Sequence, residues 1–260
     1  MRRFAALSAA FALFVSHAFA AELAAHRALY TLKLETAHSS NVQTATGTMS
    51  YEVQDACDGW AVRQRLTLGI LNTEGQNIEM VSDYVTWESK SGRDFRFHMK
   101  QTTDTATTQQ TEGEANTGPQ GGQARYTLPA VKAIALPPGT LLPMAHTNAI
   151  IEAARVGKKF IGIPLFDGTS EKGAQDTNIV VLDWKPAGQE GQAWPDLLKL
   201  PSTHVHVAFF DRKPDSATTP EYEVGMRYWE NGVGDDLRMD FGDFVMGGKM
   251  TQFTLLPHRC

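Results

Sequence analysis

Two histidines separated by one residue give this chain its clearest sign of possible metal chemistry. His204 and His206 lie in an alternating stretch that predicts a β-strand, so both imidazoles would point to the same side. No third ligand follows at a spacing typical of zinc sites, and two histidines alone bind a metal weakly. The competing interpretation is a solvated strand face opposite Val205 and Val207. We therefore predict no metal site and no cofactor.

The other titratable residues give no better sign of catalysis. His146 could act as a base if a nucleophile stood nearby, but the chain has no Gly-x-Ser-x-Gly motif, which favours a packing role in a helix. Paired carboxylates can work as acid and base, but the acidic residues near the C-terminus flank predicted turns, which indicates solvated side chains. These acidic residues are Asp235, Asp236, Asp240 and Asp243. The sequence therefore predicts no catalytic residue and no enzyme.

The densest polar loop of the chain follows a predicted strand. Its aspartate could accept hydrogen bonds from the amides of the turn, and its hydroxyl groups could bind a partner. A calcium loop would need acidic residues at alternate positions, which this segment lacks. Two interpretations stay open, a turn former and a binding loop. The candidate binding residues are Asp167, Gly168, Thr169, Glu171 and Lys172.

Period-two alternation of apolar and polar residues dominates the rest of the chain and predicts about 12–14 antiparallel strands. Asn231-Gly232 predicts a tight hairpin, and residues 113–122 are predicted to be a disordered tip. One short amphipathic helix is expected from Pro143 to a stop at Gly157. The predicted fold class is all-β, a large antiparallel open barrel with this helix near its cavity.

Numerous inward-facing aromatic and methionine side chains could serve either of two purposes. They could fill a core, or they could line an apolar cavity in a barrel too wide to fill itself. The sequence alone leaves both possibilities open. The candidate cavity-lining residues are Phe95, Phe97, Met226, Tyr228 and Phe241.

The first 20 residues predict a cleavable signal peptide. Arg2 and Arg3 precede a short apolar run, and Ala18-Phe19-Ala20 supplies a small-x-small cleavage site. We therefore expect a periplasmic protein of residues 21–260 that forms a single domain. Its two cysteines, Cys57 and Cys260, are predicted to form a disulfide, because the compartment is oxidising and no C-x-x-C spacing indicates a reactive thiol.

Charge and hydropathy argue against a nucleic-acid partner and against a transmembrane segment. Loss of the two leader arginines leaves 22 basic against 29 acidic residues, a net charge of −7. An acidic chain without a basic cluster is a poor nucleic-acid binder, because phosphate neutralisation needs clustered Lys and Arg. No later segment is long and apolar enough to span a bilayer, so no transmembrane segment is expected.

Several stretches along the mature chain resemble the EipB-like cell-envelope integrity family, in the same order. The cysteine pair also matches that family's bridge between an early strand region and the C-terminus. One departure is that relatives tend to have Trp-Pro where Thr203-His204 stand, which argues against a metal site there. The matching stretches are residues 24–30, 150–157, 166–169, 171–173, 230–233 and 240–244.

This resemblance implies a β-spiral, in which curved antiparallel sheets form an open, cupped barrel with a helix near its cavity. It also implies a non-enzymatic role in envelope integrity and stress resistance, with a periplasmic tetratricopeptide-repeat protein as a partner. No catalytic residues carry over from the family. We expect a binding or scaffold protein, and the alternative is a periplasmic carrier of a lipid or lipoprotein that uses an apolar barrel cavity.

Overall fold

Strands dominate the computed structural model, which describes residues 22–189, 194–212, 219–257 and 260. The predicted signal peptide therefore lies outside the described residues. The described chain contains one α-helix, α1, at Pro143–Arg155. The strands are β1 His26–Ala37, β2 Val42–Asp55, β3 Gly59–Asn72, β4 Asn77–Ser89, β5 Asp94–Thr103, β6 Ala106–Asn116, β7 Gly122–Leu128, β8 Lys132–Leu136, β9 Phe160–Leu165, β10 Gln175–Val181, β11 Ser202–Phe210, β12 Tyr222–Trp229, β13 Gly234–Asp240 and β14 Phe244–Leu255.

All of these strands belong to one antiparallel sheet with the order β8-β7-β6-β5-β4-β3-β2-β1-β14-β13-β12-β11-β10-β9. Strands that follow one another in sequence are paired, except β8 and β9, and β1 pairs in addition with β14 along most of its length. The first and last strands therefore lie at the centre of the sheet, and the middle of the chain supplies both edges, β8 and β9.

The sheet curls until its two edge regions meet. Leu141, which follows β8, forms a bridge with Leu165 at the end of β9. The Leu141 amide donates to the Pro164 carbonyl at 2.8 Å, and the Phe166 amide donates to the Leu141 carbonyl at 3.0 Å. This short contact replaces full strand pairing at the seam, so the fold is an open barrel. It confirms the all-β open barrel predicted from the alternation.

Alternation along each strand decides which side chains face the interior. On β1, Ala28, Tyr30 and Leu32 are buried, and on β14 Met246 and Met250 are buried. These side chains belong to the largest apolar cluster, which also takes in residues of β2, β3, β10–β13 and α1. Its burial is the main driving force that holds the two halves of the sheet around one interior.

Helix α1 lies beside the cavity of the barrel, as the sequence predicts. Ile150, Ile151 and Ala154 are fully buried against the strands. The helix ends before Gly157, which has a φ of +76° and donates its amide to the Ala154 carbonyl. Within the described residues, no helix is long and apolar enough to cross a membrane.

A carboxylate from another element caps the first turn of α1. The Glu88 side chain, at the end of β4, accepts from the Met144 amide at 2.7 Å and from the Ala145 amide at 2.9 Å. Leu142, the residue at the N-cap position, supplies no side-chain hydrogen bond. Glu88 is 2% exposed, and burial raises the pKa of its carboxyl to about 7 despite the two amide donors.

Two predictions about the middle of the chain were wrong. Residues 113–116 belong to β6 rather than to a disordered tip, which shortens the connection to β7 to a turn. Gly113 allows β6 to pair closely with β7. A Cβ on this residue would lie 2.1 Å from the Arg125 carbonyl oxygen, so only glycine fits here. Strands β7 and β8 were also missed, since their seven and five residues are too few to show a clear alternation.

The disulfide joins Cys57, in the turn between β2 and β3, to Cys260, with their Cα atoms 5.5 Å apart. The two residues are 203 positions apart in sequence, so the bridge closes nearly the whole described chain into one loop. It fixes the segment after β14 beside the β2–β3 turn at the same end of the sheet.

We expect Cys57→Ser to lower the melting temperature under oxidising conditions. The loop-entropy model gives an upper figure of about 5 kcal/mol for a loop of this length. Differential scanning calorimetry with and without reductant would measure the effect. The wild type should melt close to the variant once it is reduced, and equal melting temperatures of the two oxidised proteins would contradict a stabilising bridge.

We expect Glu88 to make folding stability fall as the pH rises. Its pKa is raised from 4.5 to about 7 in the folded state, so ionisation above pH 4.5 favours the unfolded chain. Glu88→Gln should remove this pH dependence. The free energy of unfolding of the variant, minus that of the wild type, should therefore rise by up to about 3 kcal/mol between pH 4.5 and 7.5. Urea unfolding at several pH values measures this, with Glu79→Gln, an exposed residue of the same strand, as the control. A constant difference across that range would contradict the assignment.

Candidate functional site

The interior of the barrel contains a cavity of about 600 Å³, bounded by strands of both halves of the sheet and by α1. Five of the six tyrosines of the chain line it, together with five methionines. Methionine adapts its shape to different apolar partners, and cavities of this size are typical of small-molecule sites. The lining tyrosines and methionines are Tyr30, Tyr51, Tyr84, Tyr222, Tyr228, Met49, Met99, Met144, Met226 and Met239.

The hydroxyl groups of two lining tyrosines donate to the backbone. Tyr30 donates to the Gly234 carbonyl at 2.6 Å, and Tyr84 donates to the Asp167 carbonyl at 2.5 Å. Burial raises the pKa of every tyrosine in the lining, so these side chains stay neutral near pH 7. The tyrosines therefore form an uncharged wall, and part of its donor capacity is already used inside the protein.

Two buried histidines line the cavity as neutral imidazoles. His26 Nδ1 donates to the Ala24 carbonyl at 2.8 Å, and burial lowers the pKa of its ring. His146 Nε2 lies 2.9 Å from the Thr177 hydroxyl. That hydroxyl donates to the Ile163 carbonyl, so it accepts from His146, whose pKa burial lowers to about 4. Each ring therefore has its donor nitrogen committed and its other nitrogen as an acceptor.

His26 Nε2 is a buried acceptor that has no hydrogen-bond partner among the described residues. The side chain is 2% exposed and lies between the rings of Tyr51 and Phe253, with centroids 5.8 and 6.2 Å away. A buried polar atom without a partner costs free energy, which a bound donor would recover.

The only carboxyl groups among the described residues of the lining are those of Asp167 and Glu221. None of the described lining residues is Lys or Arg. Burial raises the pKa of Asp167, and its Oδ1 accepts from both the amide and the hydroxyl of Thr169. Glu221 forms an ion pair with Lys172, which lies outside the lining.

The polar loop after β9 closes the barrel through its backbone. Residues 166–170, which we name the closure segment, cross the inner face of β4–β7, in the half of the sheet that ends at β8. Four successive carbonyls of this segment accept hydrogen bonds of 2.5–2.9 Å from side chains of those strands. The acceptor and donor pairs are Asp167 with Tyr84, Gly168 with Thr111, Thr169 with Gln109, and Ser170 with Tyr126.

An aromatic cluster anchors the start of the closure segment. The Phe166 ring packs edge-on against Phe95, Phe97 and Tyr126, with centroid distances of 5.5–6.3 Å. Gly168 has a φ of +71°, and its Cα lies so close to the Phe97 ring that a Cβ would approach within 2.4 Å. This position therefore requires glycine, both for its backbone conformation and for space.

Three of the five side chains predicted to line a cavity do so, namely Met226, Tyr228 and Phe241. Phe95 and Phe97 do not line it and are instead buried in the aromatic cluster with Phe166. The alternation correctly placed both rings on the inner face. It could not show that residues far along the chain would cover them.

The candidate binding loop divides into two parts. Asp167 and Thr169 line the cavity, and Gly168 contacts the Phe97 ring. Glu171 and Lys172 lie on the surface in ion pairs, at 2.8 Å between Lys132 and Glu171 and at 3.2 Å between Lys172 and Asp211. The loop therefore serves as a turn that closes the barrel, and only its first part faces the interior.

The histidine pair on β11 is outside this site. His204 Nδ1 lies 2.9 Å from Asp183 Oδ2, and His206 Nε2 lies 2.5 Å from Glu223 Oε2. Each imidazole thus contacts a different carboxylate on the outer face of the sheet. The described residues contain no group of three or more potential ligands arranged to hold a metal ion.

The prediction that the acidic residues near the C-terminus are all solvated was wrong for Asp235. This residue is 5% exposed, and its carboxylate accepts two hydrogen bonds of 2.7 and 2.8 Å from the Arg227 guanidinium. A shift in the β12–β13 register lies between Gly225 and Arg227, and it sets Asp235 opposite Arg227. The sequence pattern gave no sign of this buried ion pair.

Sequence reasoning missed the most distinctive features of the cavity. Period-two alternation places Tyr30, Tyr51 and Tyr84 inward, so the tyrosine wall could have been found by comparing their strand positions. Nothing in the sequence indicated the unpaired His26 nitrogen or the cap that Glu88 provides. Both depend on residues that meet only after the sheet has curled.

We expect Thr111→Val to destabilise the protein by about 1–2 kcal/mol. The substitution keeps the shape but leaves the buried Gly168 carbonyl without its donor at 2.6 Å. Urea denaturation would measure the free energy of unfolding. Thr107→Val, an exposed position on the same strand, is the control and should have a much smaller effect. Equal effects at the two positions would contradict a closing role for this hydrogen bond.

Both the sequence and the fold of this chain are similar to those of known proteins. The sequence profile of the family described as EipB-like matches residues 17–257. The chain is 29% identical over 260 aligned positions to the cell envelope integrity protein EipB of Brucella abortus (strain 2308), covering 95% of this chain and 89% of that protein.

A solved structure gives the same result. The crystal structure of a β-barrel-like protein from Brucella abortus, assigned to a domain of unknown function, superposes with a TM-score of 0.82 at 28% identity. The match covers 92% of this chain and 100% of the other. These matches confirm the resemblance inferred from the sequence, and the chain belongs to the EipB-like family.

Proposed function

We propose that this protein maintains the integrity of the cell envelope as a non-enzymatic binding module in the periplasm. The observation that carries this proposal is the similarity along 95% of the chain to a protein named for that role. The leader-like first 20 residues and the Cys57–Cys260 disulfide support an exported protein in an oxidising compartment.

The interior cavity supports binding as the mode of action. Its volume of about 600 Å³ lies in the range of small-molecule sites, and its wall combines apolar side chains with a few polar groups. The closure segment fixes that wall with hydrogen bonds and ring contacts, so the site is largely formed before a ligand binds. A preformed site loses less conformational entropy on binding.

A second candidate function is a carrier of a lipid or lipoprotein. The observation that favours it is the cavity wall rich in methionine and aromatic side chains, which suits an acyl chain of variable shape. Native mass spectrometry of the protein purified gently from the periplasm would distinguish the two candidates. A lipid-sized mass that leaves on denaturation favours the carrier, and a bare mass favours a scaffold.

A scaffold would also need a protein partner and would contribute to stress resistance. For this role we propose a periplasmic tetratricopeptide-repeat protein, as the family resemblance implies. Co-purification from a cross-linked periplasmic extract would test that partner.

We expect deletion of the gene to make cells more sensitive to detergents and to large antibiotics that an intact envelope excludes. Expression of the full chain should restore resistance, whereas a chain with residues 2–20 removed should not, because it would stay in the cytoplasm. Growth on plates with graded detergent measures the effect. A deletion strain as resistant as its parent, or rescue by the leaderless chain, would contradict the proposed role.

A further inference from the structure

The polar groups of the cavity include buried acceptors that face no donor. The Tyr30 and Tyr84 hydroxyls donate to backbone carbonyls, and the donor nitrogen of His26 is held by the Ala24 carbonyl. His26 lines the cavity, and its Nε2 is a buried acceptor without a partner among the described residues. The Asp167 carboxyl adds further acceptor atoms to the same wall. A ligand that satisfies His26 Nε2 therefore has to bring a donor.

The electrostatics of the lining point the same way. The described lining residues include two carboxylates, those of Asp167 and Glu221, and no lysine or arginine. An anionic ligand would enter a cavity whose described lining has no cation to pair with it and has two carboxyl groups in the wall. Burial of an unpaired charge is among the costliest changes in a protein interior.

We propose that the cavity binds an apolar molecule that carries a hydroxyl or amine donor and no anionic group. The donor bonds to His26 Nε2 or to the Asp167 carboxylate, and the methionine and tyrosine side chains enclose the apolar body. A carboxylate or phosphate on the same apolar body is rejected. This inference rests on the binding role proposed above and specifies the class of ligand.

Three ligands with the same apolar chain test the selectivity. Isothermal titration of the mature protein at pH 7, below the micelle concentration, would compare 1-decanol, decylamine and decanoate. We expect 1-decanol and decylamine to bind at least about tenfold more tightly than decanoate, because only decanoate brings an unpaired anion. Equal affinity for all three ligands would overturn the selectivity.

Removal of the acceptor tests the role of His26. His26→Leu should weaken binding of 1-decanol about threefold to tenfold and leave the weak binding of decanoate unchanged. His98→Leu is the control, because His98 is an exposed histidine on β5 outside the lining. Circular dichroism of both variants checks that they fold. An unchanged affinity of a folded His26→Leu variant for 1-decanol would remove His26 from the proposal.

A variant that is expected to bind decanoate more tightly separates a change in selectivity from damage to the fold, because damage would only weaken binding. Gln64 lies in the lining on β3, paired with Tyr51 on one side and Tyr84 on the other. Gln64→Lys would supply the missing cation, and we expect it to bind decanoate about tenfold more tightly than wild type. Thr67→Lys is the matched control, because residue 67 lies on the same strand but on its other face.

The possible failures are distinguishable. Equal decanoate affinity of the two lysine variants would contradict control of selectivity by the lining charge. If none of the three ligands binds the wild-type protein, the proposed ligand class is wrong. The role in envelope integrity would still be judged separately, by the resistance of the complemented deletion strain.

Discussion

The structure depends on the closure of a long antiparallel sheet that has two free edges. Fourteen strands in one sheet cannot stay flat, and their edges would be open to pairing with other chains. Here the edges meet through one bridge at Leu141 and Leu165 and through the closure segment. Four backbone carbonyls and the Phe166 ring make the contacts that complete the barrel. The cavity exists because this closure joins the edges around an interior that the side chains do not fill.

Closure also explains the unusual polar groups of the interior. The tyrosine hydroxyls that reach across the barrel satisfy carbonyls that no strand partner could satisfy. Glu88 likewise accepts hydrogen bonds from the first amides of α1, and burial raises the pKa of its carboxyl group. At the closure segment and at the first turn of α1, side-chain groups thus replace main-chain partners, which keeps these buried backbone groups bonded.

Family membership and cavity chemistry answer different questions about this protein. The similarity to an envelope integrity protein concerns its role in the cell, while the lining concerns what the barrel can hold. A wall with buried acceptors and, among its described residues, no lysine or arginine is compatible with a binding module, and burial keeps both lining histidines neutral.

Local patterns in the sequence determined the strands, the helix and the inward faces of most strands. Alternation is a property of neighbouring residues, so it predicted β1–β5 and β9–β14, and Pro143 and Gly157 marked the ends of α1. It could not predict the contact of Phe166 with Phe95 and Phe97, the Arg227–Asp235 pair, or the unpaired nitrogen of His26. Each of these depends on the curvature and register of the whole sheet, which bring together groups far apart in sequence. The sequence therefore determined that a barrel forms, and only the tertiary structure decided which side chains fill it and which are left facing a cavity.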